Sequence, residues 1–147
     1  MYSIGEVAKM FNISISTLRF YDKEGLFLNL EKTSSGVRKF NDKNIESLRV
    51  IECLKKSGLQ IKDIKNFIYL CSLGDETIKE RLDLFLKQKE NVENKIKELE
   101  NSLYMIKFKC WYYSEAMKDK TEKRVKNITL NDMPKEIKTY YENAHIK

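Results

Sequence analysis

At 147 residues and a net charge of +6, the chain has room for one ordinary domain, or for one small domain with an elongated appendage. Glu6 and Lys9 interrupt the amino terminus before any apolar run, and no stretch approaches the ~20 apolar residues of a membrane span, so neither a secretory leader nor a membrane anchor is expected. Three scattered cysteines without a paired framework fit a reducing, cytoplasmic compartment.

Ser3-Ile4-Gly5-Glu6 has the form of a capping box, and Ile4, Val7, Ala8 and Phe11 follow at helical spacing. Asn12-Ile13-Ser14 then makes a tight turn. Ser14 caps a second helix that Gly25 terminates, because a left-handed residue after the last turn is least costly for glycine. Leu26–Leu28 and Val37–Phe40 are short strand-like runs joined through Ser34, Ser35 and Gly36, so a two-stranded wing is expected, with Lys32, Arg38 and Lys39 as its cations. Asn41 caps a third helix with an inner stripe of Ile45, Leu48, Ile51 and Leu54, and Gly58 closes it. A fourth helix near Ile61–Leu73 turns Ile61, Ile64, Phe67, Ile68 and Cys71 inward.

After Gly74, Thr77-Ile78-Lys79-Glu80 reads as a second capping box. The helix it opens carries Ile78, Leu82, Phe85, Lys89, Val92, Ile96, Leu99, Leu103, Ile106, Cys110 and Tyr113 at alternating steps of four and three. That is a coiled-coil seam, with Lys89 its charged member. A helix of roughly 40 residues is about 60 Å long, more than a small domain can cover, so it needs a partner helix, most simply its own copy. Beyond Asp119 the chain is polar until Pro134, which begins a short terminal helix with Ile137, Tyr140 and Tyr141. The expected organisation is mainly α: a winged helix-turn-helix head over residues 1–75, a dimerisation helix over 76–119 and a short tail over 120–147.

A recognition helix presents short or basic donors to the major groove, while flanking residues hold phosphates. Ser16, Thr17, Arg19 and Lys23 meet that requirement in the second helix. Arg19 can bind two acceptors of a guanine edge or a phosphate, and Tyr21 offers a hydroxyl for phosphate and a ring for packing. The basic surplus is concentrated in the head, while residues 75–120 are balanced in charge.

Ser14, Thr17, Leu18, Arg19, Phe20, Tyr21, Gly25, Leu26, Gly36, Arg38 and Phe40 together resemble the MerR transcriptional regulators. The resemblance covers residues 1–75 and continues in architecture through the long helix. It implies a homodimer joined by an antiparallel coiled coil, bound to double-stranded promoter DNA at an inverted repeat with an overlong spacer. Such a regulator acts on RNA polymerase indirectly, by bending and untwisting the promoter. Thr17, Arg19 and Tyr21 match the recognition-helix contacts of the family, and Arg38 its wing arginine. Phe20 and Phe40 replace frequent tyrosines, and Asn29 stands where a wing proline is common.

Cys53 projects off the apolar stripe of its helix, with Arg49 one turn before it and Lys56 one turn after, two cations that can stabilise a thiolate. The competing reading is a small residue packed between helices. Ser35–Arg38 and Ile51–Leu59 resemble the AdhR/NmlR branch of the family, which implies sensing of aldehydes and other thiol-reactive electrophiles through Cys53. Cys71 and Cys110 lie on apolar stripes and read as packing residues. No cysteine pair has the spacing of a soft-metal site, and neither a metal nor another cofactor is expected.

Phe108, Trp111, Tyr112, Tyr113, Tyr140 and Tyr141 either close the end of the coiled coil or line a pocket for an organic effector. An architectural protein with weak DNA binding is a further alternative. No acid–base pair, phosphate loop or cofactor motif points to an enzyme.

Overall fold

The computed structural model describes residues 1–146, which fall into two compact units, Met1–Gln88 and a second from Lys89 onward. The first is built from β1 (Tyr2–Ser3), α1 (Ile4–Phe11), α2 (Ile15–Lys23), β2 (Glu31–Lys32), β3 (Arg38–Phe40), α3 (Asp42–Lys56), α4 (Ile61–Ser72) and the first turns of α5 (Ile78–Asp119). Local chemistry sets the helix starts. Ser3 and Glu6 close their capping box, with Ser3 N–H donating to Glu6 Oε2 at 2.7 Å. The Ser14 hydroxyl accepts from Thr17 N–H at 3.0 Å, and Asn41 and Asn44 cap reciprocally at the start of α3. Gly25 lies at φ +74°, the left-handed value that ends α2 with least strain.

The core joins Val7 and Ala8 of α1, Leu18 and Tyr21 of α2, Phe40 of β3, Ile64 and Ile68 of α4, and the whole α3 stripe of Ile45, Leu48, Ile51 and Leu54. Leu26 and Phe27 also enter it, and this displaces the first expected wing strand. Consecutive buried residues do not fit a strand of a wing that has one face in solvent, so Leu26 and Phe27 bend into the core as a plug while Leu28 stays exposed. Phe27 meets Phe40 edge to face at 5.4 Å. The wing strand starts later, at Glu31–Lys32, after Asn29 takes φ +56°, a value that asparagine tolerates and proline cannot adopt. β3 pairs antiparallel with β2 on one side and with β1 on the other, so the amino terminus adds a third strand.

The expected capping box at Thr77 is absent. Thr77 lies in a 3-10 turn, Asp75–Thr77, and its buried hydroxyl donates to the Leu70 and Gly74 carbonyls at 2.6 and 3.0 Å. The orphan carbonyls at the end of α4 thus capture the group that would have capped α5. Phe85 turns onto Phe67 of α4, edge to face at 5.2 Å, and Gln88 donates to the Ser57 carbonyl at 2.9 Å. Packing therefore carries the first unit past residue 75 into α5.

In the second unit, α6 (Lys123–Lys126) and α7 (Lys135–Ala144) accompany the carboxyl-terminal part of α5. Phe108, Ala116, Val125 and Ile137 are buried there. Phe108 packs against Trp111, Tyr112 and Tyr141, and Tyr104 against Tyr140. Arg124 binds both Glu115 at 2.9 Å and Asp119 at 2.6 Å, fastening the turn after α5. No helix among the described residues is long and apolar enough to cross a membrane.

Two long-range polar links orient α2. The Tyr21 hydroxyl donates to Glu52 at 2.7 Å and accepts from Lys55 at 2.9 Å. Asp22, next in the chain, accepts from Arg38 Nε at 2.7 Å and pairs with Lys32 at 3.0 Å, tying α2 to both wing strands. Tyr21→Phe removes the donor to a buried carboxylate. Urea unfolding of this variant is expected to show a loss of about 1–3 kcal/mol. Burial alone raises the Asp22 carboxyl, but the hydrogen bonds and charges of Lys32 and Arg38 outweigh it and hold the group below its ordinary value. Its stabilisation is complete above the ordinary carboxylate range, near pH 4, and disappears as pH falls through the lower folded value. Asp22→Asn is therefore expected to fall further below wild type at pH 7 than at pH 3 in parallel denaturant melts.

Candidate nucleic-acid interface

The amino-terminal turn of α2 carries a ladder of hydroxyls. Ser14 Oγ lies 2.7 Å from Ser16 Oγ and 2.8 Å from Thr17 Oγ1, so both predicted recognition-helix hydroxyls are fixed to the cap. Arg19 and Lys23 are exposed farther along α2, and among the described residues neither forms an ion pair. Their charges remain available to an anionic ligand.

Two of the wing cations, Lys32 and Arg38, sit beside this face because Asp22 binds them. Arg38 engages Asp22 through Nε, which fixes the guanidinium from its side. Lys32 is opposite Arg38 in the ladder, and Lys39 is opposite Glu31. The wing tip is closed by Thr33 N–H donating to the Val37 carbonyl at 2.9 Å and Gly36 N–H donating to the Thr33 carbonyl at 2.8 Å. Gly36 takes φ +80° there.

Tyr21 departs from its expected place. Its ring is 1% exposed and its hydroxyl is engaged by Glu52 and Lys55, so a phosphate at that oxygen would have to compete with a buried carboxylate. Burial first, and the bond and charge of Glu52 second, push the phenol well above its ordinary value, so the donor proton stays in place. Tyr21 thus positions α2 from beneath. Lys55, which the sequence reading did not select, comes to the surface beside it. With Ser16, Thr17, Phe20, Tyr21 and Ile61 it lines a concave patch. The Lys55-Lys56 doublet contained no sign of this, because only the packing of α3 on α2 tells one lysine from the other.

Cys53 is exposed on α3, off the buried stripe as its helical position requires. Arg49 is not an unpaired cation waiting beside it: the guanidinium binds Glu46 at 3.1 Å and lies 5.7 Å from the centre of the Phe11 ring. Lys56 is exposed in the last turn of α3. Cys71 is half-buried beside Phe67 and Ile68, whereas Cys110 is exposed on the seam.

The expected dimerisation residues are largely uncovered in the single chain. Ile78, Leu82, Ile96, Leu99, Leu103 and Ile106 are all close to half exposed or more, with Leu99 at 70%. Val92 is half-buried. Phe85 is shared, since its ring already meets Phe67. An apolar row of this kind on a continuous 42-residue helix is stable in water only when another surface covers it.

Comparison with known proteins places this geometry. Residues 2–70 match the profile of the MerR HTH family regulatory proteins. An uncharacterized HTH-type transcriptional regulator of Haemophilus influenzae is 41% identical over 133 residues, which is 90% of this chain and 96% of that protein. The HTH-type transcriptional regulator AdhR of Bacillus subtilis is 28% identical over 90 residues, 61% of this chain and 64% of AdhR. Among solved structures, HiNmlR, a MerR family regulator lacking the sensor domain and bound to promoter DNA, aligns with a TM-score of 0.76 at 41% identity, over 83% of this chain and 97% of its own. A head with this helix order, wing and exposed basic face, followed by a long apolar-seamed helix, and matched over nearly the full length of a relative, belongs to the MerR family of helix-turn-helix transcriptional regulators, in its AdhR/NmlR-like branch.

Proposed function

We propose that the chain acts as a homodimer on an inverted repeat in promoter DNA, that it controls transcription by distorting that DNA, and that thiol-reactive electrophiles or redox stress act on it through Cys53. The observation that carries the DNA-binding part is the exposed face of α2, with Ser16, Thr17, Arg19 and Lys23 on the helix and the wing cations Lys32 and Arg38 tied to it through Asp22. Lys55 extends the same cationic surface beside Ser16 and Thr17, while Lys39, next to Arg38 in β3, points to the other face of the wing and is proposed as a separate phosphate contact. Donors on a helix read base edges while cations on wing and flank fix the register on phosphates, and the two roles need a fixed mutual geometry. Tyr21 serves by orienting α2.

Dimerisation through Ile78, Leu82, Phe85, Val92, Ile96, Leu99, Leu103 and Ile106 is supported by their exposure in the single chain. Residues 1–75 then act as the reading head, 76–119 as the dimerisation helix and 120–147 as the tail that caps its end. HiNmlR lacks a sensor domain, and this chain matches nearly all of it, which favours a signal received within the head. Cys53 is exposed there, and in the cytoplasm its thiol stays reduced until challenged. Sensing then depends on access and on Lys56, with Arg49 contributing only after release from Glu46. The packed rings around Phe108 favour closure of the helix end over an effector pocket.

Nuclease footprinting of the full-length protein on its own upstream DNA is expected to protect a spaced inverted repeat. Arg19→Ala is expected to weaken that complex by about 1–3 kcal/mol per half-site if Arg19 binds a guanine edge. Uniform affinity for unrelated duplexes, lost entirely with salt, would overturn the specific-regulator reading. For the signal, Cys53→Ser is expected to bind the operator like wild type while losing its transcriptional response to aldehydes. Peptide mass spectrometry after challenge should find the adduct on Cys53. An unmodified Cys53 together with an intact response would exclude it as the sensor.

A further inference from the structure

Phe20 is oddly placed for an aromatic side chain. α2 buries its neighbours Leu18 and Tyr21, yet Phe20 remains 45% exposed, and its ring lies tilted against that of Tyr21 at 6.1 Å. It stands one turn beyond Ser16 and Thr17, on the same side of the helix. These three residues line the concave patch that also holds Lys55 and Ile61. The patch therefore has two chemistries: hydroxyls and an ammonium group on one part, and a phenyl ring with an aliphatic side chain on the other.

A phosphate satisfies the hydroxyls and Lys55 but has nothing to offer the ring. On the major-groove edge of a duplex, the apolar group is the C5-methyl of thymine. We propose that Phe20 is a specificity-determining residue that packs against a thymine methyl in each half-site, beside a phosphate held by the polar part of the patch. The inference rests on α2 being the recognition helix. It assigns to Phe20 a contact that the phenol of a tyrosine would fit less well, since a hydroxyl at the ring tip would need a polar partner where the methyl lies. Such a contact displaces water from apolar surface and releases no counterion, so it leaves the salt dependence of binding unchanged.

The test uses the full-length protein and its footprinted operator, with each thymine replaced in turn by deoxyuridine, which deletes the methyl and keeps the base pair. One replacement per half-site is expected to weaken wild-type binding about fourfold, the equivalent of one buried methyl group, and to leave Phe20→Ala unaffected. The slope of log K against log salt should be the same for Phe20→Ala and wild type. A set of deoxyuridine operators that wild type binds as tightly as the parent would overturn the proposal without requiring any variant to fold. So would a replacement that weakens wild type and Phe20→Ala equally, or a Phe20→Tyr variant that binds the parent and every deoxyuridine operator more tightly than wild type by the same factor, which would put the ring tip against phosphate. Failure of the recognition-helix reading looks different: Arg19→Ala would then leave the footprint intact, and Phe20 would lose its assigned ligand with it.

Discussion

The hydrogen bond from Tyr21 to Glu52 is the constraint on which the reading head depends. It joins residues 31 positions apart in the chain and lies inside the core, where each partner would be costly to bury without the other. Lys55 completes the set by donating to the same phenol oxygen. A helix packed by Leu18 alone could rotate on the apolar face of α3. With a directional bond one turn away it has a single azimuth, and that azimuth places Ser16, Arg19 and Phe20 outside.

Asp22 adds a second restraint of different character. It places one carboxylate, 11% exposed, beneath two wing cations that would otherwise repel each other and wander. The arrangement keeps positive charge on the surface while the counter-charge sits below it. An anionic partner thus meets a cationic face already set at a fixed distance from α2. Because the link uses Nε of Arg38, the guanidinium is oriented without being enclosed.

α3 has two faces with separate tasks. Its inner side carries the core stripe and Glu52; its outer side, at the next residue, carries Cys53. The thiol is thus one residue from the carboxylate that orients α2. α5 is divided in a similar way: its first turns lean on α4 through Phe85 and on the end of α3 through Gln88, while the leucines and isoleucines of its seam remain uncovered for another surface. The ambivalence of Phe85 shows why a heptad pattern alone overstates the seam, since a hydrophobic position at a helix start can face its own domain.

Sequence by itself determined helices α1 to α5 and α7 (though not the short α6), the caps at Ser3, Ser14 and Asn41, the stripe of α3, the left-handed stop at Gly25 and the basic, hydroxyl-rich character of α2, because each depends on residues within a turn or two of one another. It also carried enough pattern to indicate the family. It misplaced the first wing strand and the cap at Thr77, where local preference lost to burial of Leu26 and Phe27 and to the open carbonyls of α4. Only the tertiary structure decided that Tyr21 faces inward, that Asp22 binds the wing, that Lys55 rather than Lys56 joins the concave patch, and that Arg49 is engaged by Glu46 and Phe11. All but the Glu46 contact, three residues away on the same helix, depend on partners distant in the chain. Periodicity gives the side of a helix on which a residue lies, but not which group from another element will meet it there.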